Sequence, residues 1–128
     1  MPESFTHHNL LDVDDQAPAF GLAESQEARF ANDAMDTAQT GLSLHRIKPG
    51  ARQGFGHSHD EAEEVYVVLA GTGRMKLDDE IIDLRERDAV RVAGPVIRAF
   101  EGGDDGLEVL AVGPRRPDDR GELIDGWW

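Results

Sequence analysis

From Gly41 onward, short runs of β-forming residues alternate with clusters of turn-forming residues, about every 8–12 residues. The runs are Leu42–Ile47, Glu64–Ala70, Arg74–Leu77, Glu80–Leu84, Asp88–Ala93, Val96–Phe100 and Leu107–Val112. The breaks KPGARQG, GTG, LDDE, GP and EGGDDG are rich in residues that turns require. We read GTG as a hairpin turn and expect a tight hairpin at Asp78 and Asp79. This spacing predicts an all-β sandwich or barrel.

The segments on either side of this pattern are less regular. Residues 1–40 contain one ambiguous stretch, Ser25–Met35, which fits either a short helix capped by Ser25 or an edge strand through Phe30. The stretch 114–128 is polar but ends in Trp127 and Trp128, which are expected to dock on the barrel or on a partner chain. We therefore predict a single domain with three parts. These are an N-terminal segment (1–40) that packs on the barrel or on a partner, the barrel itself (41–113), and a C-terminal tail (114–128).

Composition narrows the class of protein. The chain has 26 acidic and 13 basic residues, a net charge of -13, and only two lysines, which favours a salt-adapted, halophile-like surface over an ordinary acidic one. Such a charge disfavours nucleic acids and anionic membranes as partners. The absence of cysteine excludes disulfides and thiolate chemistry. With neither a signal-like start nor a membrane-length apolar run, the sequence predicts a cytoplasmic protein.

The stretch GHSHDEAEEVYVV contains the candidate chemistry. His57 and His59 are two residues apart, so in extended backbone both imidazoles point to one side. Glu64 begins the next strand and shares a face with Tyr66. Two imidazoles and a carboxylate suit a divalent transition metal such as Mn, Fe, Co, Ni or Zn. The alternative is a polar surface turn, and Glu63 replaces Glu64 if the strand register is shifted by one.

The residues His57, His59, Glu64 and Gly71, with their spacing, are similar to the first signature of the cupins, which are small double-stranded β-helix barrels. The stretch RERDAVRVAGPVIRAFEGG resembles the second signature. The resemblance covers about Gly41 to Pro114. It implies a cupin (jelly-roll) barrel with His57, His59 and Glu64 as metal ligands.

Two positions depart from the family pattern. Arg98 stands where the last histidine ligand is expected, and Arg87 where a glycine is expected. A guanidinium cannot ligate a metal because it has no free lone pair. Either a metal sits on three ligands while Arg98 holds an anionic substrate group, or the metal is lost and Arg98 pairs with Glu64 or Glu63.

Other residues complete the expected pocket and its surroundings. Arg98, Tyr66 and Phe100 are the candidate substrate contacts, with Tyr66 also a candidate catalytic proton carrier or simply a wall residue. His45 fits either a pocket group or a packed histidine. Val65, Val67 and Leu69 make the outer face of their strand apolar, which predicts cover by the N-terminal segment or by a second chain, and so a homodimer.

The leading functional hypothesis is a small metal-binding cupin that acts on, or senses, a small anionic molecule. The alternative is a non-catalytic, metal-free ligand-binding or interaction module in which Arg98 is paired with Glu64. The family resemblance alone does not choose between them, since cupins carry many functions on one fold.

Overall fold

The computed structural model describes residues 4–128, and those residues form a curled antiparallel sheet. The strands are β1 (Gln26–Phe30), β2 (Thr40–Ile47), β3 (Phe55–His57), β4 (Glu64–Leu77), β5 (Glu80–Leu84), β6 (Ala89–Val92), β7 (Arg98–Pro114) and β8 (Leu123–Asp125). One short helix, α1 (Asn32–Met35), and two 3₁₀ turns, Leu10–Asp12 and Pro18–Phe20, accompany them. The all-β double-stranded β-helix prediction is confirmed.

The strand β7 lies at the centre of the sheet. It pairs with β2 along its second half, with β4 over most of its length, and with β3 at its first residue. The strand β1 lies beside β2 and β8 beside β3, while β4 also pairs with β5 and β6. Because β4 and β7 are long and shared by several neighbours, they connect the two halves of the barrel.

Two predicted turns are wrong. The GTG and EGGDDG stretches lie inside β4 and β7, which continue through them with shifts of register near Gly71. Gly71 and Gly106 have φ angles of +79° and +81°, and a Cβ on Gly71 would collide with the carbonyl of Gly106. The glycines therefore bend two paired strands at a bulge instead of ending them.

Other local predictions hold. Leu77 pairs with Glu80 around Asp78, whose φ is +50°, so the tight hairpin is confirmed. The ambiguous stretch from Ser25 forms the edge strand β1, so the alternative of a helix capped by Ser25 is wrong; the short helix α1 begins only at Asn32, after Ala31. Arg87, at the position where the family resemblance implies glycine, adopts a φ of +71°, a conformation that glycine adopts without strain.

The core lies on one face of the sheet. The buried cluster includes Tyr66, Val68, Met75, Phe100 and Val109. The intervening residues of β4 point outward: Val65 and Val67 are half-buried, and Leu69 is 45% exposed. The predicted alternation along β4 is therefore confirmed.

Residues 15–17 of the N-terminal segment run beside β1. Asp15 accepts backbone hydrogen bonds from Ala17 and Ala28, at 2.9 and 2.8 Å, and Ala17 is fully buried. These contacts attach the segment to the edge strand of the sheet. Among the described residues, none of the helices has the length and apolar character that crossing a membrane requires.

Candidate metal centre

Three strand ends bring the predicted site residues together. His57 ends β3 and pairs in register with Arg98, the first residue of β7, while Glu64 is the first residue of β4. Tyr66 follows on the interior face of β4, and His59 lies just beyond β3. We call His57, His59, Glu64, Tyr66 and Arg98 the site cluster.

Glu64 is the centre of the site cluster. Its Oε1 accepts hydrogen bonds from Tyr66 Oη at 2.7 Å, Arg98 Nη2 at 2.7 Å and His59 Nε2 at 3.0 Å. His57 Nε2 lies 3.8 Å from the same oxygen. One carboxylate oxygen is therefore shared by both imidazoles, a phenol and a guanidinium.

Arg98 is fully buried, and its donors are directed at protein acceptors. Its Nε donates to Tyr66 Oη at 3.1 Å, and its Nη1 donates to the carbonyls of Gly94 and Val96 at 2.9 and 2.7 Å. In this conformation the guanidinium is inaccessible to a substrate. It forms the ion pair with Glu64 that the metal-free alternative predicts. Glu63 instead pairs with Arg91 on the surface.

The surroundings fix the protonation of the site cluster. Burial alone would raise the pKa of Glu64, but hydrogen bonding from His57, His59 and Tyr66 outweighs it and holds that pKa well below its usual range. Burial and the charge of Glu64 raise the pKa of Tyr66 well above its usual range. The hydrogen bond to Glu64 raises the pKa of His59. Glu64 is therefore a carboxylate and Tyr66 a neutral phenol that donates to it.

The three candidate ligands fit a divalent metal. One nitrogen of each histidine and one oxygen of Glu64 all lie within 4.8 Å of one another. In tetrahedral geometry, metal–ligand bonds of about 2.0–2.2 Å place neighbouring ligand atoms roughly 3.3–3.6 Å apart. The separations of Glu64 Oε1 from His59 Nε2, 3.0 Å, and from His57 Nε2, 3.8 Å, are close to that range. This His-His-Glu group could bind a metal with only small movements of its side chains.

Sequence reasoning missed Asp119. Its carboxylate accepts the backbone N–H groups of Asp60, Glu61 and Ala62 at 2.8, 3.0 and 2.8 Å, and its Oδ1 lies 3.5 Å from His59 Nδ1. These backbone hydrogen bonds, first that of Glu61, lower the pKa of Asp119 to about 2. A carboxylate on the far nitrogen of a ligating histidine orients the ring toward a metal. Nothing in the sequence marks this contact, because it joins residues 60 positions apart.

Replacing Asp119 with asparagine is expected to weaken Zn²⁺ binding roughly 10-fold, at the low end for such supporting groups because the contact is long. The affinity is measured by competition with a chromophoric chelator. Asp118→Asn is the control, since Asp118 is exposed and carries the same charge. Equal Zn²⁺ affinities for the two variants would show that Asp119 stabilises only the 60–62 loop and does not support the metal site.

The tail covers one side of the site. The strand β8 pairs with β3, so that Leu123 lies opposite His57. The ring of Trp127 lies where a side chain on Gly56 would point, and Lys76 Nζ lies 4.3 Å from its centroid. Trp128 lies beneath Arg52. Both tryptophans are in contact with the barrel.

The remaining candidates occupy the interior. Phe100 is buried and packs edge-on against Tyr66, with ring centroids 5.1 Å apart. Its backbone N–H donates to Gln53 Oε1 at 3.0 Å. His45 lies on the interior face of β2, where burial lowers its pKa to about 4. The imidazole of His45 is therefore neutral at ordinary pH.

Comparison with known proteins shows one consistent relationship. Residues 43–113, more than half of the chain, match the family described as the cupin domain. A cupin protein from Bacteroides fragilis superposes with a TM-score of 0.72 at 20% identity, covering 94% of this chain and 92% of that one. Among curated proteins, none matches the chain in sequence.

Two similar structures carry enzyme names. A sugar phosphate isomerase from Silicibacter pomeroyi has a TM-score of 0.70 and 24% identity, over 87% of this chain and 76% of that one. A polyketide cyclase from Streptomyces resistomycificus has a TM-score of 0.71 and 20% identity, over 99% of this chain and 89% of that one. At these identities the likeness establishes the fold and leaves the reaction open.

Proposed function

Because the chain belongs to the cupin family, we propose that it is a metal-dependent cupin that binds or converts a small anionic molecule. The observation that carries this proposal is the convergence of His57 Nε2 and His59 Nε2 on Glu64 Oε1, at 3.8 and 3.0 Å. The ligand set suits a first-row divalent ion.

The charges around the cluster favour an anion as the exogenous ligand. A divalent ion and Arg98 together carry three positive charges, against one negative charge each on Glu64 and Asp119. The excess positive charge lies in a partly buried setting, where Coulomb interactions are stronger than in bulk water. Arg98 therefore contributes to anion binding through its field, without touching the ligand.

Each residue of the cluster has a separate task in this proposal. His57, His59 and Glu64 would hold the metal, which supplies Lewis-acid polarisation of a bound oxygen. Tyr66 keeps its proton and donates a hydrogen bond to Glu64, so it orients the carboxylate instead of acting as a base. The isomerase among the similar structures is named for a sugar phosphate, which is also a small anion.

Removing both imidazoles tests the metal site. Protein prepared without an affinity tag is expected to bind close to one equivalent of Zn²⁺ or Mn²⁺, and the His57→Ala/His59→Ala double variant is expected to bind less than a tenth of that. Elemental analysis after dialysis gives the content. The matched control is His7→Ala/His8→Ala, which removes two histidines outside the barrel and should leave the content unchanged. Equal metal in both double variants contradicts the proposal.

The second candidate function is a metal-free ligand-binding or interaction module. The observation that favours it is the 2.7 Å contact of Arg98 Nη2 with Glu64 Oε1, the oxygen that a metal would also use. In that case wild-type protein would contain no metal after dialysis against Zn²⁺, and the His57→Ala/His59→Ala variant would retain wild-type stability.

We also propose that the protein is a homodimer through the outer face of β4 and β7. Val65 pairs with Val112 and Val67 with Leu110, which makes an apolar face that ends at the exposed Leu69. Leu69→Asp is expected to convert a dimer into a monomer of 14.1 kDa in sedimentation velocity. Leu123 is 73% exposed and lies on β8, outside this face, so Leu123→Asp should leave the dimer intact. A wild-type protein that sediments as a monomer contradicts this.

A further inference from the structure

The strand register places three polar or aromatic residues of β1 and β2 on the interior face. Residues paired across neighbouring strands share a face of the sheet. Two such rows cross the barrel: Phe30–Ser43–Ala111–Tyr66 and His45–Val109–Val68. Since Tyr66, Val68, Val109 and Ala111 belong to the core, Phe30, Ser43 and His45 also face inward.

His45 has an unused hydrogen-bonding atom. Its Nε2 is 2.9 Å from Ser43 Oγ, whereas its Nδ1 is buried and has no hydrogen-bond partner among residues 4–128. Burying a polar atom without a partner is unfavourable, because the atom loses its hydrogen bonds to water. The ring of Phe30 meets that of His45 edge-on at 5.8 Å, and Phe30 itself is 51% exposed. A polar atom and an accessible flat apolar wall therefore lie side by side.

This corner is next to the site cluster. Ser43, which contacts His45, shares a row with Tyr66 through Ala111, and the Tyr66 hydroxyl donates to Glu64 Oε1. Gly41 and Gly113 are paired in the neighbouring row, and a Cβ on Gly113 would approach Glu64 Cγ to 3.2 Å. The Gly41–Gly113 row lies level with Glu64 and carries no side chains, and the Ser43–Ala111–Tyr66 row lies between it and His45. A small molecule at the cluster can extend toward β1 along the glycine row.

We propose that His45 and Phe30 form one wall of a ligand pocket beside the site cluster. The ligand is a small planar molecule with an anionic, oxygen-bearing end. The inference rests on the proposed function, in which the cluster attracts the anionic end. His45 Nδ1 makes one hydrogen bond to a ligand oxygen, and the Ser43 hydroxyl can rotate to support either tautomer. Phe30 supplies an apolar face against which a flat body packs.

Isothermal titration with benzoate and acetate tests this wall, using both Zn²⁺-treated and metal-free full-length protein. Wild-type protein is expected to bind benzoate more tightly than acetate. His45→Leu should weaken benzoate binding at least about fivefold, the effect of one hydrogen bond. Phe30→Ala should reduce the affinity for benzoate to that for acetate. Zn²⁺ affinity should be unchanged in both variants.

Two further variants separate binding from folding. His45→Gln keeps a polar group and should retain more benzoate affinity than His45→Leu, while His8→Leu controls for loss of a histidine outside the pocket. Equal benzoate affinity in wild type and His45→Leu, equal affinity for acetate and benzoate, or no benzoate binding in either form overturns the inference. Failure of Zn²⁺ to bind, with benzoate binding that still depends on His45, contradicts the proposed function and supports the binding wall.

Discussion

Replacing Arg98 with methionine is expected to lower the free energy of unfolding by about 3–5 kcal/mol. The substitution leaves the Glu64 carboxylate without its buried cationic partner, and it deprives the carbonyls of Gly94 and Val96 of their hydrogen bonds. Methionine is unbranched and fills much of the space of the arginine stem, so packing contributes little to the loss. Urea denaturation of metal-free protein measures the change.

Two controls make that result specific. Arg91→Met removes the exposed pair with Glu63 and should cost less than about 1 kcal/mol. In the Glu64→Gln/Arg98→Met double variant the unpaired charge is absent, so its loss of stability should be smaller than the sum of the two single losses. A cost for Arg98→Met no larger than that for Arg91→Met would show that the buried pair does not stabilise the barrel.

Replacing Arg98 with histidine is expected to strengthen Zn²⁺ binding about 100-fold. At roughly 6 Å and an effective dielectric constant of about 20, one positive charge opposes each unit of ion charge by about 2.8 kcal/mol. For a divalent ion, half of the total repulsion is again about 2.8 kcal/mol, which corresponds to about 100-fold in affinity. The new imidazole also adds a ligand beside His57, since the two positions are paired across β3 and β7. Competition with a chelator gives the affinity.

The surface variant Arg91→His serves as the control for this gain, because it removes the same charge away from the cluster. Its Zn²⁺ affinity should differ from that of wild type by less than about threefold, as expected for a screened charge. No gain for Arg98→His would mean that position 98 does not face the bound ion.

The fold and the convergence of His57, His59 and Glu64 could be predicted because both depend on local periodicity. Alternation along β4 places Glu64 and Tyr66 on the buried face, and the i, i+2 spacing aligns His57 with His59. The GTG and EGGDDG stretches misled the prediction because glycine favours a turn and a bulge equally. Whether a strand ends or bends there depends on the partner strand, which local sequence does not specify.

The role of Arg98 and the contribution of Asp119 could not be derived in the same way. The sequence leaves Arg98 two roles, and the choice depends on whether its donors meet protein carbonyls, as at Gly94, or face the pocket. Asp119 reaches the 60–62 loop through contacts between distant parts of the chain. Contacts of that range follow from how the tail packs, and no repeat or spacing encodes them.

The central position of β7 has a consequence for how the chain folds. Because β2, β3 and β4 all pair with β7, most of the pairing joins residues far apart in sequence. Proteins of such high contact order fold on the millisecond-to-second scale, since loop closure must precede the stabilising contacts. Arg98 is buried by contacts with β3, β4 and the loop before β7, so we expect its charge to lose water only when these elements meet. We therefore expect desolvation of the Arg98–Glu64 pair late in folding, and mutations at this pair should mainly speed unfolding.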